Sequence, residues 1–573
     1  MKPKYAAARD IRTVQGHQEA RHLYWTLLDE NPGDLTAGTR IAVSPDTPQR
    51  HDEACGGNYC PEEEGNSWAG LLDERERIRR LRTLFIEHKY QHQHVALLIG
   101  VRQEDQGLAC TGPLFLSPVA PGSVSLDNYP LSAPSKGSDN QNLSGLSYLI
   151  ALFLLGLAVP RVWLAEALGE ENCALMQRYG LLYPCSVDKT LLVPYVHIFP
   201  VDFSTRDERS CMWFVTDLHP LVLSTTSVGT RPDQKEGNTV MYIGPDSLAL
   251  AQHFSPYYHL VDKFADKPVY GLDLGTGSGI QALSALMHWT NSATTLGTQP
   301  AKLKMVAVDV NHRALRFALF NSILNGLEED ISFRQADILK SESYVVDIEN
   351  NNFRGFHLIL SNPPFLPVPS CDLSSYELGS IANDNEFAVR RVISKRYGLF
   401  SSGGESGEAI LERIIEIASE KLAVGGVLGV VSEFFTQRHD PEFTRFSSWW
   451  RKPRDCQSAT GILFQNEYPI DAQTYARRRA DNDKERHVWL RHLELLNVSA
   501  ASPGLMYIRK NEDVHDIDAD SGLNLTSHRV PKTELGSIWT PANVYAIRFT
   551  QEISRQIFGW FKNGSSRTTA TKK

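Results

Sequence analysis

The stretch Val269-Tyr-Gly-Leu-Asp-Leu-Gly-Thr-Gly-Ser-Gly279 admits few folds. An apolar run carries one acid, Asp273, near its end and then breaks into three alternate glycines. This predicts a buried parallel strand that turns directly into a helix. At Gly275, Gly277 and Gly279 the missing Cβ lets the backbone turn sharply and approach a ligand closely. The helix start that follows offers free N–H groups. The Gly-x-Gly-x-Gly spacing departs from the Gly-x-Gly-x-x-Gly that seats a dinucleotide pyrophosphate on a helix N-terminus.

Three further strand ends follow in order. Lys304-Met-Val-Ala-Val-Asp309 is an apolar run closed by a carboxylate, suited to hydrogen-bonding ribose hydroxyls. Ile331-Ser-Phe-Arg-Gln-Ala-Asp337 ends in another acid, placed to face an adenine. Leu358-Ile-Leu-Ser-Asn-Pro-Pro-Phe365 delivers a polar Asn and two prolines to a carboxyl end, where open α/β sheets bind ligands. Apolar strand-like runs alternate with helical patterns: strands at 269–274, 304–309, 331–336, 357–361 and 426–432, with helices at 279–289, 313–324 and 406–421. The alternation implies a parallel sheet with crossover helices.

This order of motifs resembles the class I S-adenosylmethionine-dependent methyltransferases. More narrowly, Asn362-Pro-Pro-Phe365 resembles the branch with the small methyltransferase domain, which includes glutamine-amide methyltransferases of release factors and ribosomal proteins and enzymes that methylate exocyclic amines of RNA bases. The likeness covers roughly Met241 to Gly429 and implies a Rossmann-like class I methyltransferase sheet, α/β in class, with a mainly helical N-terminal domain. It also implies S-adenosylmethionine as cofactor, held by Asp273, Gly275, Thr276, Gly277, Gly279, Asp309, Asp337 and Asn362. Asn362, Pro363 and Phe365 would do the chemistry: the Asn362 oxygen and the Pro363 carbonyl hold the hydrogens of a planar nitrogen, and Phe365 stacks on its plane. Many glutamine methyltransferases carry Tyr where this chain has Phe365. That difference weakens a protein acceptor, because Phe keeps the stacking face and loses the hydroxyl.

Composition bears on the acceptor. A net charge of −9 gives no electrostatic reason for tight, nonspecific binding to nucleic acid. The preferred acceptor is therefore a glutamine amide in a translation factor or ribosomal protein. The alternatives are an exocyclic amine of adenine or guanine in RNA, which would make the chain a nucleic-acid-binding protein, and an inactive methyltransferase-fold scaffold. A dehydrogenase would need the longer glycine spacing and a catalytic acid or base in a second domain, and neither is found. The eight cysteines are scattered, with Cys55-x4-Cys60 the closest pair, so no metal site and no disulfide framework are expected. The N-terminus has no apolar core that would make it a secretory signal. The longest apolar run, residues 146–159, falls short of the ~20 needed to cross a bilayer. Both point to a cytoplasmic protein with no membrane partner.

The organisation expected is a helical N-terminal region at 1–116, a Pro/Gly/Ser-rich linker at 117–142 and a helical or winged-helix-like accessory domain at 143–229. The methyltransferase domain follows at 238–510, and then a C-terminal extension with a disordered tail at 511–573. Helices are expected from Asp10 to Leu35 and, where Glu74-Arg-Glu-Arg-Ile-Arg-Arg-Leu-Arg alternates in sign, as a solvated face within Asp73–Gly100. Pro245-Asp246 suits a helix start ahead of the first sheet strand. Between Phe365 and Ser406 lies an insertion with Arg390, Arg391, Lys395 and Arg396, read as a solvated basic surface or a phosphate contact. On this pattern the sheet is complete from Asn238 onward, which leaves substrate choice to the residues before it.

Overall fold

A computed structural model describes, with short gaps, residues 69–98, 141–217, 240–260, 268–296, 301–340, 353–369, 384–396, 401–450, 458–511 and 522–530. The expected helix at Asp10–Leu35, the Cys55–Cys60 pair, most of the 117–142 linker, the polar stretch 230–237 and the C-terminal tail lie outside the described residues. The chain divides into two compact units. One comprises residues up to Pro245 together with His312–Glu329, and the other holds most of the remainder.

In the first unit, helices Gln141–Phe153, Arg161–Leu168 and Glu170–Arg178 interleave with a small antiparallel sheet. Its strands are β1 (Val159–Pro160), β2 (Leu182–Pro184) and β3 (Leu191–Pro194), in the order β1-β3-β2. A separate antiparallel pair joins β4 (Val196–Asp202) to β5 (Cys211–Asp217), with Val196 opposite Asp217. Every residue of β5 is buried, and Trp213 Nε1 donates to the Tyr90 carbonyl at 2.6 Å.

Among the described residues, the edge of β5 away from β4 is met by side chains rather than by another strand. Val215 N donates to Asn321 Oδ1 at 2.8 Å and the Asn321 amide returns a bond to Val215 O at 3.0 Å. Asn325 repeats the exchange with Trp213, at 3.0 and 2.9 Å. Both asparagines lie on helix His312–Asn325. Residues four apart on a helix rise about 6 Å, and residues two apart on a strand about 6.7 Å, so the ladders match. Arg313 adds a bidentate pair to the buried Asp217, which also accepts from Val240 N at 2.7 Å.

Helix Arg75–Glu87 buries Ile78, Leu81, Leu84 and Phe85 on one face. Its charged face is less solvated than the alternating signs suggest. Arg79 pairs with Glu328, whose side chain is 1% exposed, and Arg82 donates to Asn325 O at 3.1 Å. Arg80 pairs with Glu171 at 2.6 Å, while Arg178 reaches Glu74 at 2.7 Å. Helix Glu170–Arg178 therefore has Glu171 and Arg178 of its two ends in ion pairs with helix Arg75–Glu87 and its cap, at exposed positions.

The second unit is built on a sheet ordered β8-β7-β6-β9-β10-β13-β11-β14. Its strands are β6 (Val269–Leu274), β7 (Leu303–Asp309), β8 (Ile331–Gln335), β9 (Phe356–Ser361), β10 (Leu422–Gln437), β11 (Ala459–Asn466), β13 (Val498–Lys510) and β14 (Leu523–Val530). The short β12 (Ile470–Asp471) pairs with β13 off this path. The first five run parallel, β13 is antiparallel to both β10 and β11, and β14 runs parallel to β11. This is the expected α/β, Rossmann-like sheet.

The chain winds one way through β6, β7 and β8 and the other way through β9 and β10. The order therefore reverses between β6 and β9, and a ligand crevice belongs outside their carboxyl ends. Helix Ala409–Lys421 and the strands share an apolar core that includes Leu272, Ile359, Ile414, Ile417, Leu428 and Met506. Strand β10 runs well past the expected 426–432, and the expected helix at 406–421 begins only at Ala409 because Gly403–Gly407 forms turns. The insertion holds helix Asp384–Arg396. Arg390 is fully buried there, paired with Glu386 at 3.1 Å, so it is not the solvated basic residue expected; Glu386 one turn earlier supplies the countercharge.

Replacing Asn321 or Asn325 by Ala strands a buried N–H and C=O on β5. Each variant should lose about 1–3 kcal/mol of stability by denaturant unfolding. A chain begun near Asn238 retains helix His312–Asn325 but lacks β5, and should be recovered aggregated rather than as the independent cofactor-binding fragment that the sequence suggests.

Candidate active site

The glycine loop is held from beneath. Gly275 N and Thr276 N both donate to Val308 O at 2.9 Å, and Thr276 Oγ1 donates to Asp273 Oδ2 at 2.6 Å. Ala282 N adds a bond to the same oxygen at 3.2 Å, tying the following helix, Ile280–Leu296, to the strand. Asp273 thus supports the loop through one oxygen, while its Oδ1 is buried without a protein partner. Gly275 and Gly277 adopt φ of 72° and 55°, and a Cβ added to either would meet nothing within 4 Å. Their surroundings are open, so the need for glycine lies in the left-handed backbone and in what the open space admits.

Asp309 is the second anchor. Its Oδ2 accepts from Gly277 N at 2.9 Å and its Oδ1 from Asn311 N at 2.8 Å. Burial pushes its carboxyl above the usual range, and these backbone donors partly offset that. Asp337 is different: it caps Leu339 N at 3.0 Å and pairs with Lys340 at 2.9 Å, which holds its carboxyl below the usual range. Cα register places Leu274 beside Val308 on one side and beside Ser361 on the other, and Asp309 beside Gln335. All four motif ends therefore meet on adjacent strands.

Asn362 follows β9 directly. Its amide Nδ2 donates to Asp246 Oδ2 at 3.0 Å and to Ser247 Oγ at 3.3 Å, while its Oδ1 is buried with no protein partner. Pro363 is buried and Phe365 half-buried, the latter packed on the core cluster that includes Leu366, Ile393 and Trp489. The backbone beyond is clasped by a glycine turn: Leu366 N donates to Ser401 O at 2.9 Å and Gly403 N to Leu366 O at 3.0 Å. A Cβ on Gly407 (φ 74°) would lie 2.6 Å from Phe365 O, and one on Gly403 would lie 2.8 Å from Pro364 O. His492 Nε2, 2.8 Å from Glu405 O, braces this turn from helix Asp483–Leu495.

Sequence reasoning singled out the motif ends but missed their supports. Asp246 was visible only as part of a helix start, and the glycines at 403 and 407 were not singled out. Glu433, within β10 and past its pairing of Val430 with Ser361 of β9, carried no signal at all; it accepts from Tyr475 Oη and from Arg479, both at 2.8 Å. Among the described residues no cluster of His, Cys, Asp and Glu could hold a metal, and no helix is long and apolar enough to cross a membrane.

No protein-family model matches the sequence, and no curated protein resembles it closely enough to count as a match. Solved structures similar to it include the type I restriction-modification methyltransferase subunit of Streptococcus thermophilus, at 15% identity and a TM-score of 0.29, over 56% of this chain and 54% of that one. This chain thus spans about half of that subunit's length. The hMettl16 catalytic domain in complex with MAT2A 3′UTR hairpin 1 is similar at 13% identity and a TM-score of 0.25, over 50% of this chain and 76% of that one. The plantazolicin methyltransferase BpumL in complex with SAH is similar at 13% and 0.22, over 47% and 85%. The fold of this chain rests on its own strand order and register.

Burial raises the Asp273 carboxyl from its ordinary 3.8 to about 7, against the opposing bonds from Thr276 and Ala282. Because the folded value is the higher one, the stabilising contribution of this group is present below 3.8 and is lost as pH rises through about 7. Asp273→Asn should therefore gain on the wild type by a few kcal/mol, at roughly 1.4 per pH unit, when unfolding is compared between about pH 5 and about pH 8.

Proposed function

We propose that this protein is an S-adenosylmethionine-dependent N-methyltransferase acting on a planar, hydrogen-bearing nitrogen. The observation that carries this reading is Asn362 at the switch point of the sheet, its NH2 group occupied and its oxygen buried and unpartnered. An amide or aromatic amine has its lone pair delocalised. An acceptor that holds its hydrogens aligns that lone pair, and positioning of this kind supplies much of the rate. In this reading the Asn362 oxygen and the Pro363 carbonyl are the two acceptors, and Phe365 offers a face to the planar group.

The residues present fit the cofactor. The space above Gly275 and Gly277 admits a ligand against exposed backbone. The oxygens of Asp309 each retain a lone pair beyond their bonds to Gly277 and Asn311, enough to accept ribose hydroxyls. Asp337 would lie toward the adenine, and Thr276 with Gly279 would complete the loop. When bound, the cofactor supplies an electrophilic methyl group; the protein orients the acceptor nitrogen and excludes water.

A glutamine side-chain amide in a component of the translation machinery is the favoured acceptor. The acidic chain supports this over RNA, as does helix Glu170–Arg178, which begins with two glutamates and commits Arg178 to Glu74.

Calorimetry should show S-adenosylmethionine binding to the wild type, and Asp309→Ala should lose most of that affinity; binding of NAD instead would overturn the assignment. Asn362→Ala should keep cofactor affinity while lowering transfer by at least ~10²-fold. With labelled cofactor and a cell extract, label that survives ribonuclease and is lost to protease identifies a protein acceptor, and the reverse identifies RNA.

A further inference from the structure

We infer that Asp246 is a positioning residue that sets which end of the Asn362 amide faces the acceptor nitrogen. This inference rests on the methyl-transfer reading and names the device that makes Asn362 an acceptor of hydrogen bonds rather than a donor.

The two ends of an asparagine amide are nearly identical in shape, so packing alone does not choose between them. Chemistry does, because an ionised carboxylate accepts hydrogen bonds and has no proton to give. Asp246 Oδ2 lies 3.0 Å from Asn362 Nδ2, so only the NH2 end can face it; the reversed amide would set oxygen against oxygen. The other neighbour, Ser247 Oγ at 3.3 Å, can donate or accept and by itself would permit either orientation. The carboxylate supplies the asymmetry, and the oxygen it leaves behind is the buried Oδ1 without a protein partner.

Asp246 is itself held in place. It is buried in the first turn of helix Pro245–His253, and that turn is fixed from the next helix by Gln281 Nε2, which donates to Ser247 O at 2.9 Å. His288 Nε2 meets Ala251 O at 2.8 Å one turn further along. The helix preceding the sheet is thereby registered on Ile280–Leu296 and holds the carboxylate still. An acceptor presenting N–H groups is matched by this orientation. An alkoxide, a carboxylate or a nitrogen without hydrogens is refused by the oxygen it meets.

Four proteins decide the matter: wild type, Asp246→Asn, Asn362→Ala and the double variant. The probes are S-adenosylmethionine alone, by calorimetry, and methyl-labelled S-adenosylmethionine with an extract of cells lacking the enzyme. Asp246→Asn is isosteric and can donate, which frees the amide to reverse. It should bind cofactor within ~3-fold of wild type and lose ~10- to 100-fold of the rate at saturating cofactor. On the Asn362→Ala background the same change should alter the rate by less than ~2-fold, because the group it orients is gone. Additive losses, or a loss of cofactor affinity in Asp246→Asn, would overturn the inference. An independent readout is the side-chain NH2 resonance pair of Asn362, identified by its absence in Asn362→Ala. It should move in Asp246→Asn, and an unmoved pair refutes the inference. If Asp246→Asn fails to fold, Asp246→Ser carries the same comparison. If Asn362→Ala transfers methyl groups at the wild-type rate, the role given to Asn362 falls and this inference with it; if the wild type transfers none, the methyl-transfer reading falls, while the resonances still report the amide orientation separately.

Discussion

Burying a carboxylate without partners costs several kcal/mol, and the end of this sheet buries three, Asp246, Asp273 and Glu433, with Asp309 half-buried beside them. That constraint organises the second unit. Each acid is matched to donors that come from a different element, so each donor also fixes that element in space. Asp273 takes Thr276 and the start of the helix; Asp309 takes Gly277 from the loop and Asn311 from the chain leaving β7. Asp246 takes Asn362, and Glu433 takes Tyr475 and Arg479. The shape of the glycine loop and the placement of the Asn-Pro-Pro-Phe segment are consequences of neutralising these charges.

A second layer holds the first. Arg445 is the hub of the region behind β10: its guanidinium donates to both oxygens of Glu408, to Asp440 and to the Phe435 carbonyl, and lies over the rings of Phe443 and Phe446. Phe443 adopts a left-handed backbone at φ 58°, a conformation costly for a bulky residue and held here by the packing around it. Glu408 begins helix Ala409–Lys421 immediately after the turn that clasps Phe365, so the Arg445 network and the Asn-Pro-Pro-Phe segment are joined through that turn. Rigid support of this kind is what a site working through positioning requires.

The legible part of this protein is the part whose chemistry is local. A strand that ends in glycines, or in Asn-Pro-Pro, declares itself within a dozen residues, and the parallel core from β6 to β10 follows from apolar runs and their spacing. Partners brought from afar left no such trace. Asp246 is separated from Asn362 by 116 positions, and nothing in a helix-starting Pro-Asp says that the acid will face an amide. The alternating charges of Glu74–Arg82 read as a solvated helix face, but pairing along the helix and pairing to Glu328 look alike in sequence. Arg390 failed as a surface residue for the same reason: its partner shares its helix, but its burial comes from elsewhere. Strand β14 was hidden because Leu523–Val530 sits in a polar stretch and adds only its first residues, Leu523 and Leu525, to the core.

The asparagine ladder on β5 has a consequence in time as well as in space. Val215 and Asn321 are 106 positions apart, so a chain made from its N-terminus exposes the open edge of β5 before the residues that close it exist. At about 5–20 residues per second that interval is roughly 5–20 s, long beside the microseconds in which a hairpin forms. Throughout it, β4 and β5 present a buried-type strand, Cys211-Met-Trp-Phe-Val-Thr-Asp217, with one ladder of backbone groups unfilled, the kind of edge on which nascent chains pair with one another. The first unit is therefore finished late, by a helix that the chain supplies only after β7, in the connection between β7 and β8.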